Sequence, residues 1–585
     1  MDNKTGRTVD ITFVAAMFVM ALLYLVLRAP FRLDFKEQIS IFLLGADRLD
    51  WYLSNPGVLA AIAGDWLTQF FIHPKTGAVL YVLLLLVTMW GLVRLFRLSA
   101  PDRPVCSWLL VIPVMTECYF ITFPNYPVSA TVGLALSVWT ACGLALIKDY
   151  KISPVVYGIT VPVMFVLAGG HALTLALLLG FVKRRDGIKN LLCILCGIVI
   201  MLVCGRLYNL TLLQTLVWPM HPDYINPPIA LVVMQPLFIL AAMILSLFYY
   251  KIKDSKWKSP VLSVLSIILI DLTAVLDNNS LESTIKIGTL AYHEQWKEVR
   301  EMAAKDKNKK YNGYYWNLCN AREGRLADEL LYGRWGRSSD VLFLSTAQGD
   351  PYFSMIYFTD ALLEMGDVSQ ATDCALLAQT IMPGHYSTRM LRRLSEIAVV
   401  AGDYELARKY LNILMRTRNH KAWAKELLDY MDRDEIPQQY LDWRFKAATD
   451  DRFFTQGDVR SSLAIIASQH PYNRTAVDYL LCSYLLDKNV NTFISLYDKY
   501  YLNALDRIVT VPDIYQEALL VNVDSDESLV ETVEKYRISQ RTLDKFMALM
   551  EARARSNNPE NLMIPEAMKS YWHYIMSVRF NTEKK

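Results

Sequence analysis

Long apolar runs fill the first half of this 585-residue chain and stop near Asp277, and nothing else in the sequence restricts the fold so strongly. A helix of about 20 mostly apolar residues spans the hydrocarbon core of a bilayer. It also satisfies its own backbone hydrogen bonds there, which lipid cannot do. Runs of this kind cover residues 11–27, 78–95, 105–123, 128–147, 154–168, 172–182, 191–207, 229–250 and 260–274, about nine spans in all. The first follows Lys4 and Arg7 and lacks a small-residue cleavage site, as expected of a retained anchor. The expected fold is all-α: a polytopic transmembrane bundle over residues 1–278, then a second helical domain over 279–585.

Basic residues set the expected orientation. With the N-terminus in the cytoplasm, the inside connections carry Arg94, Arg97 and Arg103; Lys148 and Lys151; Lys183, Arg184, Arg185 and Lys189; and Lys251, Lys253, Lys256 and Lys258. The outside turns, at 124–127, 169–171 and 208–228, contain no lysine or arginine. Nine crossings then place the C-terminal half on the external side of the membrane. A net charge of +3 leaves no electrostatic footprint for nucleic acid. Cys193 and Cys196 spell CxxC, but within LLCILCGIVI they lack a polar shell for a metal, so they read as packing residues. No metal site and no cofactor is expected.

The stretch 29–77 is too long and too charged for a simple connection between spans. It carries Asp34, Glu37, Asp47, Arg48, Asp50, Asp65 and His73 among many aromatic and aliphatic residues. One or two helices lying along the membrane surface, offering carboxylates to the interface, are expected here. Glu117, Arg206 and Asp271 fall near the outer ends of their spans, where an ionisable residue is a functional candidate by default. They read either as ion pairs closing the bundle or as the floor of an outward polar cavity. His73, His171 and His221, with Asp223, map to the same side.

After residue 280 the pattern changes to successive amphipathic helices of about 12 to 16 residues. Two stretches repeat one another: MGDVSQATDCALLAQTIMP, with Gly366, Val368, Ala371, Ala375, Ala378 and Pro383, and AGDYELARKYLNIL, with Gly402, Tyr404, Ala407, Leu411 and Leu414. This is the spacing of a tetratricopeptide repeat, in which small residues let paired helices approach and glycine occupies the turn. Weaker copies centre on Trp296 and Val299 and on Val490, Phe493 and Tyr497, while Ala327 after Gly324 is out of register. An α-solenoid is expected, with a plain helical domain as the alternative. Its tyrosines and tryptophans (GYYWNLCNA, LDWRF, YWHYIM) suit helix packing, glycan stacking or protein contact alike. No Gly-rich phosphate loop and no nucleophile elbow is present.

Through KEQISIF, PGVLAAIAGDWLTQFFIHPKTGAVL, HPYNRTAVDYLLCSYLLDKN and VPDIYQEALL, the chain resembles a domain-of-unknown-function family of bacterial polytopic membrane proteins with a helical-repeat tail. In architecture it also resembles the GT-C superfamily of membrane glycosyltransferases, which have a long external first loop bearing an acid and, in some members, an external tetratricopeptide domain. RLDFKEQ, with Asp34 and Glu37, sits where that acid would fall.

Two functions follow as expectations. In the first, Glu37, or Asp34 in its place, is the general base of a transferase using a polyprenyl-phosphate-linked donor. Arg48 and Arg206 would hold the phosphate, with Asp65, His73, Glu117, His171, His221, Asp223 and Asp271 contributing to the substrate site. In the second, the chain is a non-catalytic envelope assembly protein: the bundle anchors the repeats, whose groove takes a protein or glycan partner. A transporter is the third and weakest possibility, since inverted repeats are not evident.

Overall fold

The computed structural model describes residues 3–147, 153–182, 187–220, 227–248, 279–305, 310–331, 339–344, 351–448, 459–502, 510–555 and 570–577. Every regular element among the described residues is helical. The chain forms two compact units. One comprises Met1–Lys286 together with two later segments, Met382–Arg389 and Ile413–Trp423; the other comprises Ile287–Ile381, Met390–Asn412 and Ala424–Lys585.

In the first unit, α1 (Asn3–Leu27) ends before Pro30, whose fixed φ starts a new helix, α2 (Pro30–Gln38). The axes of 11–27 and 30–38 differ by 67°. Two short helices follow, α3 (Ala46–Leu53) and α4 (Val58–Thr68), and then the long α5 (Pro74–Ser99). The bundle continues through α6 (Ser107–Phe120), α7 (Val128–Ala145), α8 (Ser153–Ala168), α9 (Ala172–Phe181), α10 (Gly187–Leu207), α11 (Leu212–Val217) and α12 (Ile229–Phe248).

Five helical runs are long and apolar enough to cross a membrane: Pro74–Ser99, Val128–Ala145, Pro154–Phe181, Gly187–Leu207 and Ile229–Phe248. The bent pair α1–α2 makes a sixth if it counts as one span. By length and composition, then, five or six of the expected nine are met among the described residues. With 14 residues and Pro113 in its interior, α6 reaches only about 21 Å. The expected span 260–274 lies outside the described residues. The runs 154–168 and 172–182 are joined through Gly169–His171 into one apolar stretch.

That stretch nevertheless folds back on itself. Tyr157, early in α8, lies 3.5 Å from the Leu144 carbonyl at the end of α7, whereas Ala168 packs on Gly133 near the start of α7. Phe181, at the end of α9, then stacks on Phe96 in the last turns of α5, with ring centroids 6.0 Å apart. Since α5 runs parallel to α7, from Tyr81 beside Thr131 to Gly91 beside Cys142, α9 has returned to the end from which α8 began. Gly169, at φ +68°, makes the reversal that the glycine pair in the sequence leads one to expect.

The long helices are two-faced. On α5, Tyr81, Leu85, Met89, Leu92 and Phe96 are buried in the bundle, while Leu83, Leu86, Val87 and Trp90 are exposed at i, i+3, i+4 and i+7. On α10, Leu192, Leu195, Val199, Ile200 and Val203 form a similar outward apolar face. Faces of this extent suit lipid and not water. Glycines set the closest approaches: a Cβ on Gly64 of α4 would stand 2.5 Å from the Ser129 backbone of α7.

The second unit is built on one recurring turn. Glu294, Gly324, Gly366, Gly402, Asp434, Lys488 and Arg537 each adopt positive φ just past a helix. In each case the next amide donates back to the carbonyl five residues earlier, as from Asp367 to Leu362, Asp403 to Ala398 and Asn489 to Tyr484. Seven helices therefore end in a Schellman turn. After Gly366 and Gly402 the following aspartate caps the next helix: Asp367 Oδ1 accepts from the Gln370 amide and Asp403 Oδ1 from the Leu406 amide, both at 3.0 Å. The small residues expected to let helices approach, Ala371, Ala375, Ala378 and Ala407, are all buried.

Candidate functional sites

The short helix α2 does not lie on a surface. Arg32, Leu33, Asp34, Phe35, Lys36, Glu37 and Gln38 are all buried, and burying charge is tolerable only where each group finds a partner. Lys36 Nζ donates to the carbonyls of Phe123 (2.6 Å), Pro124 (3.2 Å) and Tyr126 (2.6 Å), closing the turn between α6 and α7. Arg32 Nε pairs with Glu282 at 2.8 Å. Glu37 Oε1 meets His420 Nε2 at 3.0 Å and accepts from Asn419 Nδ2 at 3.1 Å. At the end of the helix, Ser387 Oγ and Thr388 Oγ1 donate to the Gln38 carbonyl (2.7 and 3.2 Å), and Arg389 Nη1 donates to Gln38 Oε1 (3.0 Å). The first loop thus holds residues 382–389 and 413–423 against its own helix.

A second cluster in the same unit joins α3 to α4. Arg48 reaches Asp65 Oδ2 at 3.4 Å and donates to the Gly384 carbonyl at 2.9 Å, and its guanidinium lies 4.0 Å above the Trp51 ring. Tyr52 donates to Asp65 at 2.7 Å. Burial raises the Asp65 carboxyl above the usual carboxylate range, while Arg48 and Tyr52 pull it back. Glu37, Asp65, Gln69, Thr388, Thr417 and Arg418 border one polar cleft, whose interior of about 10 Å³ has room for a single water.

The remaining expected site residues do not join it. Glu117 is fully buried in α6, and its hydrogen-bond partners Thr131, Tyr126 and Gln235 are neutral, so among the described residues it forms no ion pair closing the bundle. His73 is exposed just before α5, and Arg206 is exposed on α10. His171 is buried at the α8–α9 turn, with Nδ1 3.3 Å from Thr174 Oγ1. Three further candidates, His221, Asp223 and Asp271, lie outside the described residues. Among the residues that are described, Glu117, His171 and Arg206 have separate surroundings and do not floor a common cavity. No metal-binding group of His, Cys, Asp and Glu occurs among the described residues.

A larger cavity lies in the second unit, in a place that no motif of the sequence announces. It measures about 210 Å³ and is lined by Glu294, Trp296, Arg322, Asp360, Glu364, Arg393, Gln439, Asp442, Trp443 and Lys446. Helix 438–446 presents Gln439, Asp442, Trp443 and Lys446 at i, i+3, i+4 and i+7, one continuous face. Helix 351–365 adds Asp360 and Glu364 one turn apart. The carboxylate of Glu364 gathers three donors: Trp443 Nε1 at 3.0 Å, Lys446 Nζ at 3.5 Å and the Arg322 guanidinium. Arg393 pairs with Asp360 at 2.7 Å and also with Glu396. Arg322 lies 4.3 Å over the Trp296 ring. Burial, reinforced by Arg322, lowers the Lys446 ammonium below its ordinary value. For Arg393, burial opposes the charge, but Glu396 and Asp360 outweigh it and raise the guanidinium further. The spacing of 439, 442, 443 and 446 was visible in QQYLDWRFK. It could have marked a face, though not what stood opposite.

A fold that is all-helical among the described residues, with lipid-compatible faces on its long apolar helices, defines a helical membrane protein. The chain belongs to the Family of unknown function (DUF6057), whose model matches residues 7–577. No curated protein matches it, and neither does any solved structure.

Proposed function

We propose that this is a non-catalytic envelope protein of a bacterial cytoplasmic membrane. Its N-terminus is cytoplasmic, and its second half, a tetratricopeptide-like solenoid, works in the periplasm as a binding module. The observation that carries the reading is the contrast between two polar sites. The buried groups of the first loop are engaged by the chain's own residues around a space for one water. The cleft of the second unit offers about 210 Å³ between aromatic and charged side chains. The lysine- and arginine-rich connections support the orientation. Placing a photo-crosslinking residue at Asp442 of the full chain in its host is expected to yield a discrete adduct. The same residue at Arg541, exposed on another helix, should yield none. Equal labelling at both positions, or none at Asp442, would remove the reading.

One observation favours a second reading, glycosyl transfer from a polyprenyl-phosphate-linked donor: the first-loop acids Glu37 and Asp65 border the same cleft as Arg418. In this mechanism the cleft opens on substrate binding, Glu37 takes the acceptor hydroxyl proton, and arginines hold the departing phosphate. Glu37→Gln would then abolish turnover of the lipid-linked donor while residues 413–423 keep their amide protection. Unchanged turnover and unchanged envelope glycans would end it.

A further inference from the structure

From the matched ion pairs and the aromatic surface of the 210 Å³ cleft, we infer that it takes a single neutral sugar ring, an inference that rests on the cleft being the binding site of the second unit. The size argues first. Pockets for drug-sized ligands begin at about 300 Å³, so this one suits a single ring or a short end of something larger. Charge argues next. Three cations, Arg322, Arg393 and Lys446, face four acids, Glu294, Asp360, Glu364 and Asp442. The most buried of them are already matched: Glu364 with Arg322 and Lys446, and Asp360 with Arg393. An anionic ligand would have to break one of these pairs, at the cost of leaving a buried charge without its partner. A cationic one would meet only the exposed Asp442 and Glu294, the latter already paired with Arg392, where water screens the attraction. A neutral ligand breaks no pair.

Hydrogen-bonding capacity points the same way. Side-chain carboxylates accept only and guanidinium groups donate only, whereas each hydroxyl of a sugar does both. A lining that holds Asp442, Gln439 and Glu294 as acceptors and Arg322 and Lys446 as donors can therefore engage several hydroxyls of one ring without bringing in a further charge. The aromatic surface completes the set. Trp443 is half-buried, with its Nε1–H committed to Glu364, and so holds its ring in a fixed orientation at the cleft. A pyranose has an apolar C–H face that packs on such a ring while its hydroxyls stay in the polar wall.

The test uses the full chain in lipid nanodiscs, with methyl glycosides of glucose, galactose, mannose and N-acetylglucosamine as probes and inorganic phosphate and free lysine as charged controls. Binding is read by saturation-transfer NMR and calorimetry. At least one glycoside is expected to bind saturably, with at least tenfold weaker affinity in Trp443→Ala and less than threefold weaker in Trp443→Phe, which keeps a ring at that position. Amide protection of residues 351–365, measured in parallel, shows that the variants are folded. Two results would overturn the inference: no glycoside binds, or glycoside binding is the same in Trp443→Ala. Should phosphate or lysine bind instead, in a manner abolished by Lys446→Gln or Asp442→Asn, the sugar assignment fails and the binding module stands. If no probe binds and crosslinking at Asp442 also fails, both readings fall together.

Discussion

Gly366 and Gly402 occupy the same place in successive Schellman turns, at φ +90° and +83°, but their surroundings differ, and substituting alanine at each separates two physical terms. A Cβ in left-handed backbone costs about 1–2 kcal/mol wherever it occurs. At Gly402 nothing lies within 4 Å of the added carbon, so that strain is the whole effect. At Gly366 the added carbon would overlap the Lys446 carbonyl oxygen and stand 2.7 Å from its carbon. These are backbone atoms held by two bonds, Ala448 N to the Gly366 carbonyl at 3.0 Å and Asn473 Nδ2 to the Lys446 carbonyl at 3.2 Å. Losing both adds about 1 kcal/mol each. Gly366→Ala should therefore cost about 3–4 kcal/mol and Gly402→Ala about 1–2. Global unfolding of a chain with two units is not two-state, so the assay is native-state hydrogen exchange of the full chain in nanodiscs, which reports local opening. Amides of residues 362–367 in Gly366→Ala should lose about thirtyfold more protection than amides of 398–403 in Gly402→Ala, about 2 kcal/mol at 1.4 per tenfold. Equal losses would show that the Lys446 carbonyl does not set the close approach, and the seating of Gly366 against it would be wrong.

Three further outcomes are expected. His420→Ala leaves the buried Glu37 carboxylate one donor short, which should cost about 1–3 kcal/mol of local stability, read as faster exchange across 413–423; unchanged protection there would refute the clamp. Burial pushes the Glu517 carboxyl up to about 7 from 4.5, so the fold favours its protonated form. Its contribution is fully present below about pH 4.5 and lost as pH rises through about 7, a swing of about 3 kcal/mol at 1.36 per unit. Glu517→Gln should thus protect residues 513–519 more than wild type at pH 8 and equally at pH 4.5, and a pH-independent difference would contradict this. Arg537→Gly relieves left-handed strain at φ 52° and should stabilise the 526–536 turn by about 0.5–1 kcal/mol after the entropy of glycine is counted; slower exchange of Val533 and Ile538 is the check.

What the sequence determines by itself is whatever a local pattern can state. Apolar runs of helical length mark α5, α7, α10 and α12, because lipid leaves an isolated backbone no other partner. The pairs Gly366–Asp367 and Gly402–Asp403 mark helix–turn–helix units, because one residue tolerates positive φ and the next caps the following helix. Glu294, Asp434, Lys488 and Arg537 make the same turn with no glycine to announce it, held there by the helices on either side, so the repeats read as two strong copies among weak ones.

Tertiary structure alone decided where the charges of the first loop go. In sequence, RLDFKEQ is a polar segment suited to water or to a substrate. In the fold it is buried, because Lys36 finds three carbonyls near residue 124 and Glu37 finds His420, 383 positions away. No periodicity encodes partners at that distance. The same holds for the cleft of the second unit. The face of Gln439, Asp442, Trp443 and Lys446 is written in one helix, but Arg322, Glu364 and Arg393 reach it from three others. A site is a property of neighbours in space, and the helices that supply these neighbours are set by packing.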